Sequence, residues 1–315
     1  MKDRAVGEEP AGPRERSTPG QRLEGRVTAE IEGLMSQPLA PGLYFVATPI
    51  GNMADITLRA LSVLARADQL YCEDTRHSRK LLARYGISRS PAAYHEHNAD
   101  RIRPRILEAL AAHRSVALVS DAGTPLISDP GFKLARAALD QGYPVIAIPG
   151  PSAVLAALTV SGLPTDSFLF VGFLPPRSAA RRGRLAELKN VAATLVFFES
   201  PSRLAAMFDD LTAVLGDRFA AVARELTKLH EEVRRDTLSR LSKWAGSTDV
   251  RGELVVLVSP PSSIEVSDEA ILARLEAALE TMSVRDAVKS VAEALGANKS
   301  RVYDLAVDLR RRQIE

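Results

Sequence analysis

The sequence predicts an α/β protein built as two α/β domains with a small helical domain after them. Three observations carry that expectation. Short continuous apolar runs (Leu43–Ala47, Gln69–Cys72, Val116–Val119 and Pro144–Ile148) alternate with helix-length segments, the signature of a mostly parallel sheet covered on both faces. A second set of runs follows at Phe168–Gly172, Thr194–Phe198, Phe219–Ala223, Glu231–Arg235 and Glu253–Val258. The last two are close in sequence, which admits antiparallel partners. Third, the text beyond Pro260-Pro261-Ser262-Ser263 is helical throughout. The expected boundaries are 1–40, 41–150, 151–259 and 260–315.

Taken in order, residues 1–40 are rich in Gly, Pro, Arg and Glu and poor in aliphatic residues, so the expectation is a disordered extension. Asp55 stands before Leu58, Leu61 and Leu64, and Asn98 before Ile102, Ile106 and Leu110. Each is read as an N-cap. A small-residue helix should run from Ala153 to Ser161 and stop at Gly162, with Pro164 just beyond. The tail reads as helices Ala270–Leu279, Val284–Leu295 and Lys299–Arg311, the last two in a helix-turn-helix pattern with a Ser-started second helix. Nucleic-acid contact and a mere packing or dimer role both fit this piece.

At 315 residues, with 46% hydrophobic and 25% charged residues, the chain can bury a real core. The single cysteine, Cys72, excludes an internal disulfide framework and a cysteine-based zinc site, and fits a reducing cytoplasm. No apolar run is long enough for a membrane span, and the N-terminus has no hydrophobic signal core. A formal net charge of +2 does not announce a nucleic-acid binder. Local clusters could still serve as one: Arg76 to Lys80, Arg177 with Arg181, Arg182 and Arg184, and Arg310 to Arg312. The alternative is that each is a solvated helix face.

Two punctuated segments, Ser120 to Gly131 and Pro149-Gly150-Pro151-Ser152-Ala153, follow apolar runs and open helix-like stretches. At the carboxyl ends of parallel strands such turns free backbone groups to grip a small molecule. Walker A and G-x-G-x-x-G fingerprints are absent, and Gly123-Thr124-Pro125 lacks the lysine a phosphate loop needs. An uncharged adenosine-like group suits these turns better. His95-Glu96-His97, on or beside a short strand, has no third partner at a telling spacing, so no metal is expected and hydrogen-bonding roles are. Charged clusters Glu73-Asp74-Thr75-Arg76, Glu199-Ser200-Pro201-Ser202-Arg203 and Arg224-Glu225-Leu226-Thr227-Lys228 follow three strands. They form either a cleft rim for a polar substrate or ion pairs between loops.

Together with Thr48-Pro49-Ile50-Gly51-Asn52, these motifs make the chain resemble the ribosomal RNA small subunit methyltransferase I family of the tetrapyrrole methylase superfamily, over about Gly42 to Val258. The resemblance implies the two-domain class III methyltransferase fold, an S-adenosylmethionine site between the two domains, a homodimer, and 2′-O-methylation of a cytidine in the decoding region of 16S rRNA. It places Pro49, Ala122, Thr124, Leu126, Ile127, Ser152, Ala153, Phe198, Leu226, Gly252 and Glu253 at the cofactor. Relatives acting on macrocycles carry a G-x-G-P-G-D turn where this chain has Thr48 to Asn52, which argues against a macrocycle. The long N-terminal tail is not part of the pattern. For the chemistry, Asp74, Glu199 and His95 are candidate bases, and Lys228, Arg76 and Arg203 are cations for phosphate or alkoxide. Glu73, His97, Asn98 and Arg224 complete the expected substrate side. Methylation of a small molecule such as a tetrapyrrole precursor, or a non-catalytic RNA-binding assembly role, are the competing readings.

Overall fold

The computed structural model describes residues 18–126, 131–261, 268–295 and 297–314, with side chains as far as Arg310. The chain divides into two compact units, Met1–Ala156 with Glu225–Glu231, and Ala157–Arg224 with Glu232–Glu315. The change of unit falls at Ala156 rather than Gly150, and a short segment from the second half of the sequence counts with the first unit.

In the first unit, β1 (Gly42–Val46), β2 (Gln69–Cys72), β3 (Ala92–Ala93), β4 (Ser115–Val119) and β5 (Val145–Ile148) form a parallel sheet ordered β3-β2-β4-β1-β5. Its apolar strands alternate faces. Leu43, Phe45, Val116 and Leu118 pack with Ile102 and Ile106 of α4 (Ala99–Ala111) and Leu134 and Ala138 of α5 (Phe132–Asp140). Tyr44, Val46, Ala117 and Val119 pack with Val63 and Leu64 of α2 (Leu58–Arg66) and Leu81 and Leu82 of α3 (Thr75–Arg84). Burial on both faces explains why the strands read as continuous apolar runs. Ala93, Cys72, Val119, Val46 and Ile148 lie in one cross-strand row at the carboxyl end. All five connections therefore leave the sheet at one level.

Several expectations need correction. Residues 19–36, expected disordered, form α1 (Pro19–Ser36). Thr18 and Gln21 close a capping box, with Pro19 in the first turn, which supplies the start that a sparse apolar content does not. Residues 1–17 lie outside the described residues. The cap of α2 is Thr57, whose side chain accepts from the Ala60 N–H, while Asp55 ends a 3-10 turn over Met53–Asp55. Asn98 does precede α4, but its side chain turns back, accepting from the His95 N–H (2.9 Å) and donating to the Ala93 carbonyl (3.0 Å). His95, Glu96 and His97 follow β3 in that turn, beside the short strand rather than on it, one of the two placements expected.

The second unit holds β6 (Phe168–Phe173), β7 (Thr194–Glu199), β8 (Phe219–Arg224), β9 (Glu232–Thr237) and β10 (Leu254–Val258) in the order β6-β7-β10-β8-β9. Only β6 and β7 are parallel; the other pairs are antiparallel. β9 and β10 do not pair with each other, since β8 lies between them. One face carries α7 (Ser178–Leu188), α8 (Leu204–Leu215) and α9 (Leu238–Ser247) around Leu185, Phe197, Phe208, Leu211, Leu238 and Val256. α6 (Ala153–Ser161) spans the change of unit, ending as expected at Gly162, whose φ is +73°.

The C-terminal helices α10 (Asp268–Leu279), α11 (Val284–Leu295) and α12 (Lys299–Ile314) enclose their own core of Ile271, Leu275, Val288, Val291, Val302 and Ala306. Asn298, not a serine, caps α12 by accepting from the Ser300 N–H at 2.9 Å. The basic stretch on α7 is not a uniform surface patch either. Arg181 is buried and paired with Asp210 at 2.6 Å, and Arg182 reaches the same carboxylate.

Candidate active site

The turns after β1, β4 and β5 are stitched together. The Thr48 N–H donates to the Gly123 carbonyl (2.9 Å) and the Gly123 N–H to the Thr48 carbonyl (3.0 Å), a one-residue antiparallel bridge. Thr48 Oγ1 donates to the Ser120 carbonyl at 2.9 Å, and Thr124 Oγ1 to the Pro151 carbonyl at 3.2 Å. Gly123 has φ +78°, a left-handed conformation that suits glycine. At Gly150 the requirement is space, because a Cβ would sit 2.9 Å from that of Ala47. Pro49, Ala122, Thr124, Leu126, Ser152 and Ala153 thus come to one end of one sheet. Ile127 lies outside the described residues. Leu126 holds φ +71°, a strained backbone for a branched side chain.

Segment Glu225–Glu231 packs against the β1 turn. Glu225 and Thr227 both have positive φ, +51° and +64°. The segment is held by Thr227 N–H to Glu231 Oε2 (2.6 Å), Lys228 Nζ to Glu225 Oε1 (2.8 Å) and Asn52 N–H to Thr227 Oγ1 (3.0 Å). Gly51 faces it so closely that a Cβ would stand 2.5 Å from Lys228 Cγ and 2.8 Å from both the Leu226 carbonyl and Thr227 Oγ1. Gly51→Ala should therefore displace the segment and lower stability by about 1–3 kcal/mol, read by urea denaturation. A variant as stable as the parent would show that the segment yields freely. Gly51, Asn52 and Thr227 all belong to sequence motifs, yet nothing in their spacing announces that they meet.

The charged candidates divide by what they already hold. Asp74 caps α3, accepting from the Arg76 N–H at 2.8 Å, and pairs with the Arg76 guanidinium at 2.7 Å. Hydrogen bonds from that guanidinium and N–H hold its carboxyl far below the usual range. The Asp74 N–H in turn donates to Asp121 Oδ1 at 2.9 Å, linking the β2 and β4 turns through a residue that sequence reasoning does not single out. Glu73 is exposed beside it. His95 and His97 lie edge to face, 5.9 Å apart between ring centres. The His95 Nδ1 atom is buried with no hydrogen-bond partner among the described residues.

In the second unit, Glu199, Leu254, Arg224 and Glu232 are successive cross-strand neighbours, so Glu199, Arg224, Gly252 and Glu253 come to one end of that sheet. The Glu199 side chain is 0% exposed, 3.2 Å from Arg203, and accepts from the Ser200 N–H. Arg203 also donates to the Leu174 carbonyl at 2.7 Å. Arg224 pairs with Glu232 at 3.1 Å. Phe198 packs edge to face on Phe170 and Phe173. These pairs lie within one cluster or between adjacent strands, so they occupy Glu199, Arg203 and Arg224 without joining one of the three clusters to another. No group of three His, Cys, Asp or Glu able to hold a metal exists among the described residues, and no described helix is long and apolar enough to cross a membrane.

A parallel sheet with short stitched turns at its carboxyl end, followed by a mixed sheet and three helices, has known counterparts. Residues 42–242 match the family of Tetrapyrrole (Corrin/Porphyrin) Methylases, and residues 265–310 match the RsmI C-terminal HTH domain. The fold is shared with a cobalt precorrin-4 methyltransferase of cobalamin biosynthesis (TM-score 0.54, 18% identity, covering 69% of this chain and 94% of that one). Diphthine synthase shares it too (TM-score 0.56, 18% identity, 69% and 89%). The class is that of the tetrapyrrole methylases. Among individual relatives, a ribosomal RNA small subunit methyltransferase I of Mesorhizobium japonicum is 51% identical over 278 residues, 87% of this chain and 94% of that protein. One of Vibrio cholerae is 44% identical, covering 84% and 93%. The chain belongs to the ribosomal RNA small subunit methyltransferase I family, and it is a methyltransferase with S-adenosylmethionine as its methyl donor.

Proposed function

We propose that this chain methylates the ribose 2′-oxygen of a cytidine in 16S rRNA, alone or within the small ribosomal subunit, and that it works as a cytoplasmic homodimer. The observation that carries the reading is the stitched set of turns after β1, β4 and β5 in a chain 51% identical to a relative named for ribosomal RNA. The donor set suits an adenosyl group. Between Ser120 and Leu126 the sole charge is Asp121, already occupied by the Asp74 N–H, and no lysine or arginine stands ready for a polyphosphate. Backbone amides and carbonyls, with the small side chains of Ala122, Thr124, Ser152 and Ala153, can follow a nucleoside and a short polar tail closely. Pro49, Leu126 and Leu226 supply apolar surface.

When bound, S-adenosylmethionine supplies an electrophilic methyl carbon on a sulfonium. The protein's task is then to align the ribose hydroxyl with that carbon and take its proton. Asp74 is a poor base while Arg76 holds it, and the Glu199 carboxylate is paired with the Arg203 guanidinium. Lys228 is tied to Glu225. His95 is left with a ring nitrogen unclaimed among the described residues, and it stands two residues beyond the row where β3 ends. We assign it the proton, with His97, Asn98, Glu73 and Arg76 beside it on the substrate side, and Arg203 and Arg224 keeping Glu199 and Glu232 in place.

Calorimetry with S-adenosylmethionine and with its demethylated product should give saturable binding to the purified chain. Mass mapping of 16S rRNA from cells lacking the protein should show loss of one 2′-O-methylcytidine, restored by the gene. No heat with either ligand, or an unchanged methylation map, would remove this assignment.

A further inference from the structure

We infer that the solvent face of α3 grips the phosphodiester backbone of the RNA; this rests on the reading above that the chain acts on RNA. α3 carries Arg76, Arg79, Lys80 and Arg84 and no acidic residue. Ser78, Leu81 and Leu82 point into the core, so the spacing i, i+3, i+4, i+8 sets the four cations on the opposite face. They span about 12 Å along the axis. Arg76, 85% exposed, is paired with Asp74. Arg79, Lys80 and Arg84 are exposed and have no ion pair or hydrogen bond among the described residues.

Such an arrangement works against the helix. Like charges at i, i+4 repel, as Arg76 with Lys80 and Lys80 with Arg84 do, and Arg76 in the first turn opposes the helix dipole, while Arg84 in the last turn suits it. A surface helix selected for stability would interleave acids. A polyanion reverses the sign, because guanidinium groups pair with phosphate in bidentate fashion and each such pairing releases counterions. The placement fits as well. α3 starts at the carboxyl end of β2, and the bond from the Asp74 N–H to Asp121 ties that start to the β4 turn. A strand of RNA lying along α3 leads directly to the turns assigned to the methyl donor.

The test is the triple variant Arg79→Ala, Lys80→Ala, Arg84→Ala, with binding measured to a 16S rRNA transcript and, separately, to purified small subunits over a range of salt. The variant should melt no lower than the parent and bind S-adenosylmethionine within two-fold of it. Its RNA affinity should fall at least ten-fold near 0.1 M salt, with the slope of log K against log salt shallower by about 2, roughly 0.7 for each single-strand phosphate left without its cation. The charge-preserving pair Arg79→Lys, Arg84→Lys should keep most of the slope. Parental affinity and slope for the transcript would overturn the inference, as would a defect in subunit binding alone, which would mark α3 as a protein-binding face. If the parent itself methylates neither RNA, the proposed function fails instead; if it does and the triple variant binds equally well, only α3 is wrong.

Discussion

His95→Ala should lower kcat by about 10²–10⁴-fold, the usual worth of a positioned base, while the affinity for S-adenosylmethionine stays within two-fold. The separation matters because a structural role would move both. His95 belongs to a tight turn in which its own N–H donates to Asn98 Oδ1. That bond uses the backbone, so it survives the substitution, and the turn should keep its shape. Only the ring is removed. Added imidazole should then restore part of the turnover without changing donor affinity, and single-turnover methylation of the RNA substrate is the measurement. Parental turnover in the variant would return the proton to another group. Asp74 would be the next to test, through Asp74→Asn, which keeps a capping side chain, rather than Asp74→Ala, which also loses the helix cap, about 1 kcal/mol.

Asp210→Ala should destabilise the second unit by about 3–5 kcal/mol, because it leaves Arg181 buried without its counter-charge. Asp210 is 3% exposed and accepts from Arg181 Nε (2.7 Å), from Arg182 and from Ser178 Oγ (3.0 Å). The carbonyls of Pro176 and Ala206, each 3.2 Å from Arg181, cannot neutralise it. Urea denaturation should show the drop in midpoint. A paired replacement by apolar residues, Arg181→Met with Asp210→Leu, should recover much of it. Burial alone would raise the Asp210 carboxyl, yet the hydrogen bonds from Arg182, Ser178 and Arg181 outweigh it and the value lies below the ordinary 3.8. The folded state therefore binds this proton less readily than the unfolded chain. The stabilisation is complete above 3.8 and is lost as pH falls through the lowered value, so acid should unfold the parent more steeply than the apolar pair. Equal acid sensitivity would show that other carboxylates control the transition.

How much of this is legible in the sequence depends on the distance between partners. β1, β4 and β10 are readable because both faces are buried and their residues are almost all apolar. β3, two alanines long, carries no pattern, and its pairing with β2 exists only in space. α1 escapes a reading by composition because its few large apolar residues, Leu23, Val27, Ile31, Leu34 and Met35, outweigh neither the glycines nor the charges, although Thr18-Pro19-Gly20-Gln21 is a visible capping signal. In the site, the turns are recognisable as punctuation after apolar runs. Their partners are not. Thr227 meets Asn52 across 175 residues, and Asp210 meets Arg181 across 29. Such pairings decide which charges are spoken for, and the order of residues alone leaves that open.

The common row at which the five strands of the first sheet end has a consequence for how this protein can vary. Removing one residue from the middle of β4 would draw the turn from Ser120 to Leu126 back by about 3.3 Å and turn every side chain beyond the cut to the opposite face. Thr48 would then no longer find Gly123. Insertions before the strands, at the far edge of the sheet, cause no such displacement. The molecule thus has one end whose spacing is fixed to the residue and another that can be lengthened freely, and engineered fusions or tags belong at the latter.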